Sequence, residues 1–390
     1  MPFFDAHCDT IGPIWEGTAD FMTGARDGAH GLPGHGAEGT GGLHITLPGL
    51  RSAGICAQVF ASWAWSQKYK DDVFEAGIGK VEEVVSLCEH YAQYLFLAKT
   101  GAEVGAACRQ AVAAEPETGR LTEDGDRNAT MFENAAPDGR PKSAVVASLE
   151  GADPLEGDLD RLEIFYEAGV RLITLAWGDN EFVGSTYDDG GGLTRKGADL
   201  VTAMEERGIL VDVSHASDKA FWDVCQVAGR PFLASHSNCR DLCPSMRNLT
   251  DDMIRALAER GGVIGITLAP AFLSKSYLDA ETPLNNQFRE ALIAGSDEAM
   301  QQFSEAVAVI PRPKLDLLVD HVLHAVNVGG EDAVGLGGDL DGIETLPADF
   351  NGVADYPRIG RLLRQAGLKP SQVDKICYGN FMRLFEEGLP

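Results

Sequence analysis

The stretch GILVDVSHASDKAFWDVCQVAGRPFLASHS, residues 208–237, holds two short apolar runs, GILVDVSH and PFLASHS, on either side of an amphipathic segment. Each run has strand length and is bounded by Gly, Pro or polar residues. The segment between them, SDKAFWDVCQVAG, has helical periodicity and stops at Gly229, as helices tend to. A strand, a helical crossover and a second strand make the unit of a parallel sheet covered on its outside. Six more runs share this character: FFDAHCD (3–9), GICAQVFAS (54–62), SAVVASLEG (143–151), RLITLAW (171–177), GVIGITLA (262–269) and AVGLGGDLDG (333–342). Helical segments lie between most of them, at 80–99, 160–169, 196–208 and 250–261, with two more around 355–366 and 371–387. Eight strands with helical crossovers fit a closed (β/α)8 TIM barrel better than an open doubly wound sheet. Such a barrel places its chemistry at the carboxyl ends of the strands. The irregular stretches 10–50, 112–142 and 270–313 read as insertions, so residues 1–390 are expected to form a single barrel domain with C-terminal helices.

Composition bounds the function. The chain has 390 residues, 44% hydrophobic and 23% charged, the balance of a soluble globular protein. Acidic residues outnumber basic ones 59 to 32, a net charge of −27 that repels phosphate backbones and anionic membranes. Neither nucleic acid nor membrane is therefore an expected partner. No signal-type segment or spanning apolar run is evident, which points to a cytoplasmic location. The eight cysteines lack the spacing of a disulfide framework; Cys239 and Cys243 form a C-x3-C with no second half, and reduced structural thiols are expected.

The strand ends carry the chemistry. His7 and Asp9 end the first run, and residues two apart on a strand point to one side. Glu150 ends the third, His215 the fifth, His236 the sixth and Asp339 the eighth. Any one has a plain structural explanation, such as capping. Six at equivalent positions converge on one rim. Imidazole and carboxylate without thiolate suit zinc, with manganese, iron or cobalt as alternatives. Four ligands and a bridging carboxylate suffice for two ions about 3.5–4 Å apart, clamping a hydroxide between them. Glu150 is the natural bridge, and Asp339 is then available to move the proton. His30, His35, His44, His90, His321 and His324 lie in loops or helical stretches and read as structural.

The segments DAHCD, SLEG, VDVSH, ASHSNCR, MRNLTDD and GLGGDLDG resemble, in order and spacing, the membrane (renal) dipeptidase family of zinc peptidases, within the amidohydrolase-like barrels. The likeness covers most of the chain. It implies two Zn2+ per chain and hydrolysis of dipeptides, often with a D-residue at the C-terminal position. His7 and Asp9 match the ligands of one zinc, His215 and His236 those of the other, Glu150 the bridge and Asp339 the acid/base. Arg247 in MRNLTDD matches an arginine that holds the substrate carboxylate. Two departures stand out. Trp177 in TLAWGDN replaces a substrate-contacting histidine, and ITLAPAF lacks the tyrosine expected after the seventh strand. Trp177 can pack against substrate but cannot supply the same proton.

The expected activity is a metallo-dipeptidase with a small dipeptide substrate. An amidohydrolase for N-acyl amino acids, lactones or β-lactams is the alternative, since this fold changes substrate through its loops. A metal-binding protein without turnover is a third reading, disfavoured by the presence of Asp339. GLGGDLDG lacks the Gly-Lys-Ser/Thr of a phosphate loop. The C-terminal helices could cover the barrel or pair two copies as a homodimer.

Overall fold

Nine parallel strands appear in the computed structural model, which describes residues 1–26, 42–115, 136–186, 190–293 and 296–390. They are β1 (Phe3–Asp5), β2 (Ile55–Trp63), β3 (Leu95–Leu97), β4 (Ser143–Glu150), β5 (Val170–Thr174), β6 (Leu210–Asp212), β7 (Leu233–Ala234), β8 (Val263–Ile266) and β9 (Val334–Leu336). Eight of them close a ring in the order β1, β2, β4, β5, β6, β7, β8, β9, with β9 returning to β1 through Asp5 and Leu336. The longest seam joins β2 to β4, from Ala57 beside Ala144 to Trp63 beside Glu150. This is a (β/α)8 barrel. The ninth strand, β3, lies outside the ring and pairs with the start of β4, Leu95 beside Ser143. It sits inside the stretch expected to be helical over 80–99. The helix there runs Val73–His90, and a turn after it frees Leu95–Leu97 to extend.

Alternation along the strands divides two apolar layers. Phe3 faces outward and meets Tyr356 edge-on, with ring centres 5.8 Å apart, while Phe4 faces inward. Inward residues of the strand beginnings, among them Ala57, Val59, Val146, Leu172, Leu210 and Val263, cluster with Phe381, Leu384 and Phe385 of the last helix, Asn380–Gly388. That helix therefore closes the amino-terminal mouth of the barrel. Gly335 on β9 makes room for it, because a Cβ there would collide with the Phe381 ring.

The outer helices are set by local signals. Ser217 accepts from the Ala220 N–H and caps Asp218–Val227, Thr250 does so for Asp251–Glu259, and left-handed Gly169 and Gly208 end the helices before them. The stretch 270–313 is more ordered than its composition suggests. It forms helices Pro270–Leu273, Lys275–Ile293 and Asp297–Ala308, which share a small core of Tyr277, Phe303, Val307 and Ile310. Among the described residues, no helix is long and apolar enough to cross a membrane.

Candidate active site

The carboxyl ends of the strands bring the six strand-end residues to one rim. Glu150 is the last residue of β4; the others lie two to four residues past their strands, where the chain remains guided by the neighbouring strand end. The Asp9 N–H donates to Leu340 O at 2.9 Å, and the Ala61 N–H to Cys8 O at 2.8 Å, which holds His7 and Asp9 over the barrel mouth. His215 and Asp339 adopt left-handed backbone, with φ of 66° and 58°. A non-glycine residue held there is a cost that recurs at functional sites.

Glu150 is at the centre. Its Oε1 lies 3.0 Å from His215 Nε2, 3.7 Å from His236 Nε2 and 3.7 Å from His7 Nε2. The Nε2 atoms of His215 and His236 are themselves 3.0 Å apart. His7 Nε2 also stands 3.3 Å from Asp9 Oδ2 and 3.8 Å from Asp339 Oδ1. His7 is buried, and among the described residues neither of its ring nitrogens has a hydrogen-bond partner of ordinary geometry. His7, Glu150 and His236 form one group able to hold a metal ion, and His7, Asp9 and Asp339 a second that overlaps it.

Buried groups behind the rim aim these ligands. Asp212 accepts from the Ser235 hydroxyl at 2.6 Å, so the Ser235 oxygen is left to accept from His236 Nδ1–H at 2.8 Å. A proton on Nδ1 leaves the Nε2 lone pair facing Glu150, the arrangement a metal ligand needs. Asp212 is held in turn by the Thr174 hydroxyl at 2.5 Å and the backbone N–H groups of Ser214 and Ser235 at 2.9 and 2.8 Å.

The electrostatics match that purpose. Burial, reinforced by the positive charges of Arg247 and His7, holds His215 and His236 well below the usual histidine range, so both stay neutral. Burial opposes charge on His7 too, but the carboxylates of Glu150 and Asp9 outweigh it and raise the imidazole. Burial and then the Asp9 carboxylate push Glu150 up to about 7, and burial with Asp9 and Glu150 nearby lifts Asp339 well above an ordinary aspartate. Carboxylates crowded in a buried space raise one another in this way, and a cation among them removes the conflict. Orphaned His7, paired imidazole nitrogens and crowded carboxylates together fit a metal centre.

Arg247 and Trp177 flank that centre. Arg247 is buried, reaches His236 O through Nη2 at 3.4 Å and lies 5.2 Å over the Phe272 ring. It makes no salt bridge among the described residues, and its Nε has no partner. Trp177 stands 6.1 Å from the His215 ring. Residue types at strand ends do not reveal Trp63 and Trp65, which pack on Trp177 at 5.1 and 4.8 Å, because aromatic residues in ASWAW read as core. The buried Asp212 and Ser235 are equally silent in sequence.

The other described histidines and the thiols lie in structural settings. His44 donates its backbone N–H to Asp341 at 2.7 Å, and burial lowers its ring to about 3. His321 joins Cys239 N to Leu273 O, while His324 pairs with Asp251 at 2.7 Å. His90 ends the helix Val73–His90, and His30 and His35 lie outside the described residues. All eight cysteines are free and buried; burial pushes Cys239 up to about 12 and Cys243 to about 11, which suits packing and not metal binding.

Comparison with known proteins follows the same direction. A Klebsiella pneumoniae protein described only as an uncharacterised protein in the pqqA 5′ region is 36% identical over 253 residues, 62% of this chain and 81% of that protein. Dipeptidase tcpJ of Claviceps purpurea is 30% identical over 63% of this chain and 51% of its own length. Dipeptidase 3 of Rattus norvegicus is 26% identical over 72% and 50% respectively, so the chain spans about half the length of these two. Among solved structures, a metallo peptidase of Rhodobacter sphaeroides, liganded with a phosphinate mimic of L-Ala-D-Ala, superimposes with a TM-score of 0.73. It is 22% identical and covers 100% of this chain and 99% of its own. The probable dipeptidase PvdM of Pseudomonas aeruginosa gives 0.71 at 21% identity, covering 97% and 98%. At such identities the likeness speaks for the fold. The family itself is shown by a match of the membrane dipeptidase model to residues 1–388: this chain belongs to the membrane dipeptidases, peptidase family M19.

Proposed function

We propose that the chain hydrolyses dipeptides with two zinc ions, one held by His7 and Asp9, the other by His215 and His236, with Glu150 shared. Membership of its peptidase family makes it a metal-dependent hydrolase. The reading of two ions is supported by His7, His215 and His236 gathering around Glu150 with Asp9 beside His7, more donors than one tetrahedral ion takes, and by a donor set of imidazole and carboxylate alone. Zinc bound there would supply Lewis acidity and bring the pKa of coordinated water towards neutrality.

The protein's own residues supply the rest. Asp339, 3.8 Å from His7 Nε2, takes a proton from the attacking water and returns it to the leaving amine. Arg247 offers a buried guanidinium fork to the substrate carboxylate, a planar match worth more in a desolvated site than in water. The Ser235–Asp212 pair keeps His236 in one tautomer throughout. The L-Ala-D-Ala mimic in the Rhodobacter sphaeroides relative supports a substrate range that includes a C-terminal D-residue.

The observation that carries this reading is the meeting of His215 Nε2, His236 Nε2 and Glu150 Oε1, with His215 Nε2 within 3.0 Å of both other atoms. Elemental analysis of the purified protein, joined to a panel of L,L and L,D dipeptides, tests it. Two zinc ions per chain and turnover that vanishes with chelation and returns with zinc are expected. Full activity after complete removal of divalent ions would overturn it.

A further inference from the structure

Around the rim, the strands run β1, β2, β4, β5, β6, β7, β8 and β9. Arg247 follows β7 and Phe272, beneath its guanidinium, follows β8. Trp63 ends β2, Trp65 lies two residues past it, and Trp177 follows β5. These two sets face each other across the ring, with the Glu150 cluster between them. A dipeptide whose carboxylate meets Arg247 and whose peptide bond lies over Glu150 must then direct its amino-terminal residue at the indoles.

The indoles form a constructed wall. Trp177 meets Trp63 at 5.1 Å and 66°, and Trp65 at 4.8 Å and 58°. Trp65 is buried, while Trp63 and Trp177 are half-buried and keep part of their surface open. Gly178 is required by this packing, since a Cβ there would lie 2.5 Å from Trp65 Nε1. Trp63 is also engaged by cations: Lys68 Nζ lies 5.0 Å and Lys80 Nζ 5.4 Å from its ring centre. Lys80 is fixed there by Trp63 O at 2.6 Å and Tyr69 Oη at 2.9 Å. A ring that already attracts two ammonium groups has little to offer a third, whereas indole surface packs well against carbon.

We infer that the Trp63–Trp65–Trp177 wall selects dipeptides with a large apolar or aromatic amino-terminal side chain and disfavours lysine or arginine there. The inference rests on the dipeptidase reading and adds the specificity of its amino-terminal subsite. Trp177 is its central contact.

The test compares kcat/KM of the zinc-loaded full chain on Phe-Ala, Leu-Ala, Gly-Ala and Lys-Ala. Phe-Ala and Leu-Ala should exceed the other two by about tenfold or more, the scale on which apolar pockets discriminate. Trp177→Ala should reduce the Phe-Ala to Gly-Ala ratio to about threefold or less, and Trp177→Phe should preserve most of it. If Trp177→Ala does not fold, Trp177→His decides by the same ratio. Equal cleavage of all four peptides, or an unchanged ratio in the variant, overturns the inference and leaves the dipeptidase reading standing. Cleavage of none removes the dipeptidase reading, and the subsite with it.

Discussion

Asp339 and Asp341 are two residues apart, both in left-handed backbone with φ of 58° and 68°, yet they face different surroundings. Asp339 looks into the ligand cluster, 3.8 Å from His7 Nε2. Asp341 instead accepts from the Thr10 hydroxyl at 2.6 Å and from the N–H groups of His44 and Ile45 at 2.7 and 3.2 Å. The motif GDLDG shows two equivalent aspartates in sequence; only coordinates separate them. Asn is the natural probe at 339, because it keeps the shape and tolerates left-handed backbone. Asp339→Asn should retain the wild-type metal content while kcat falls by about 10²–10⁴, the usual span of a lost acid/base group. Metal analysis and steady-state kinetics check it; near-normal turnover would remove Asp339 from proton transfer. At this scale, the side chains legible in sequence are those whose chemistry is unusual at a strand end: His7, Asp9, Glu150, His215, His236 and Asp339. Arg247 needs its MRNLTDD context. Ser235, Asp212, Trp63 and Trp65 are illegible, because a small hydroxyl or an indole near a strand looks like ordinary core.

At the scale of elements, the eight ring strands are legible from apolar runs with clear stops. The ninth, Leu95–Leu97, is hidden because YLFLAK continues the apolar pattern of the helix before it. The helices of 270–313 are masked in sequence by Pro283, which sits inside Lys275–Ile293, and by polar residues on the outer faces. That insertion buries Glu281 near Glu344, and burial, then its neighbour's charge, pushes the Glu281 carboxyl up to about 8. Its ordinary value is 4.5, so between those values the folded chain keeps a proton that the unfolded chain releases. The resulting stability is whole below the unfolded value and is lost as pH rises through the folded one. Thermal melting should therefore fall from pH 5.5 towards pH 9, and Glu281→Gln should flatten that part of the decline. An identical slope in the variant would show that Glu281 does not contribute to it.

For the whole molecule, the final helix matters most. Sequence shows that helices end the chain and leaves open whether they cover the barrel or pair two copies; their destination depends on contacts hundreds of residues away. Phe385 packs on Phe4 with ring centres 4.9 Å apart, and Phe381 on the same ring at 5.6 Å. Removing a buried Phe costs about 3–5 kcal/mol when the cavity cannot collapse. Phe385→Ala should lower the denaturant midpoint accordingly while metal content stays the same, since the plug and the metal rim occupy opposite ends. A midpoint equal to wild type would mean that the plug does not hold the barrel together. The Asp341 carboxylate has a further consequence. Through Thr10, Arg26, His44 and Ile45 it fastens the first loop of the chain to the tripeptide that also positions the proton carrier. A substitution at Arg26 is therefore expected to slacken the segment that carries Asp339 as well as the loop to which Arg26 belongs.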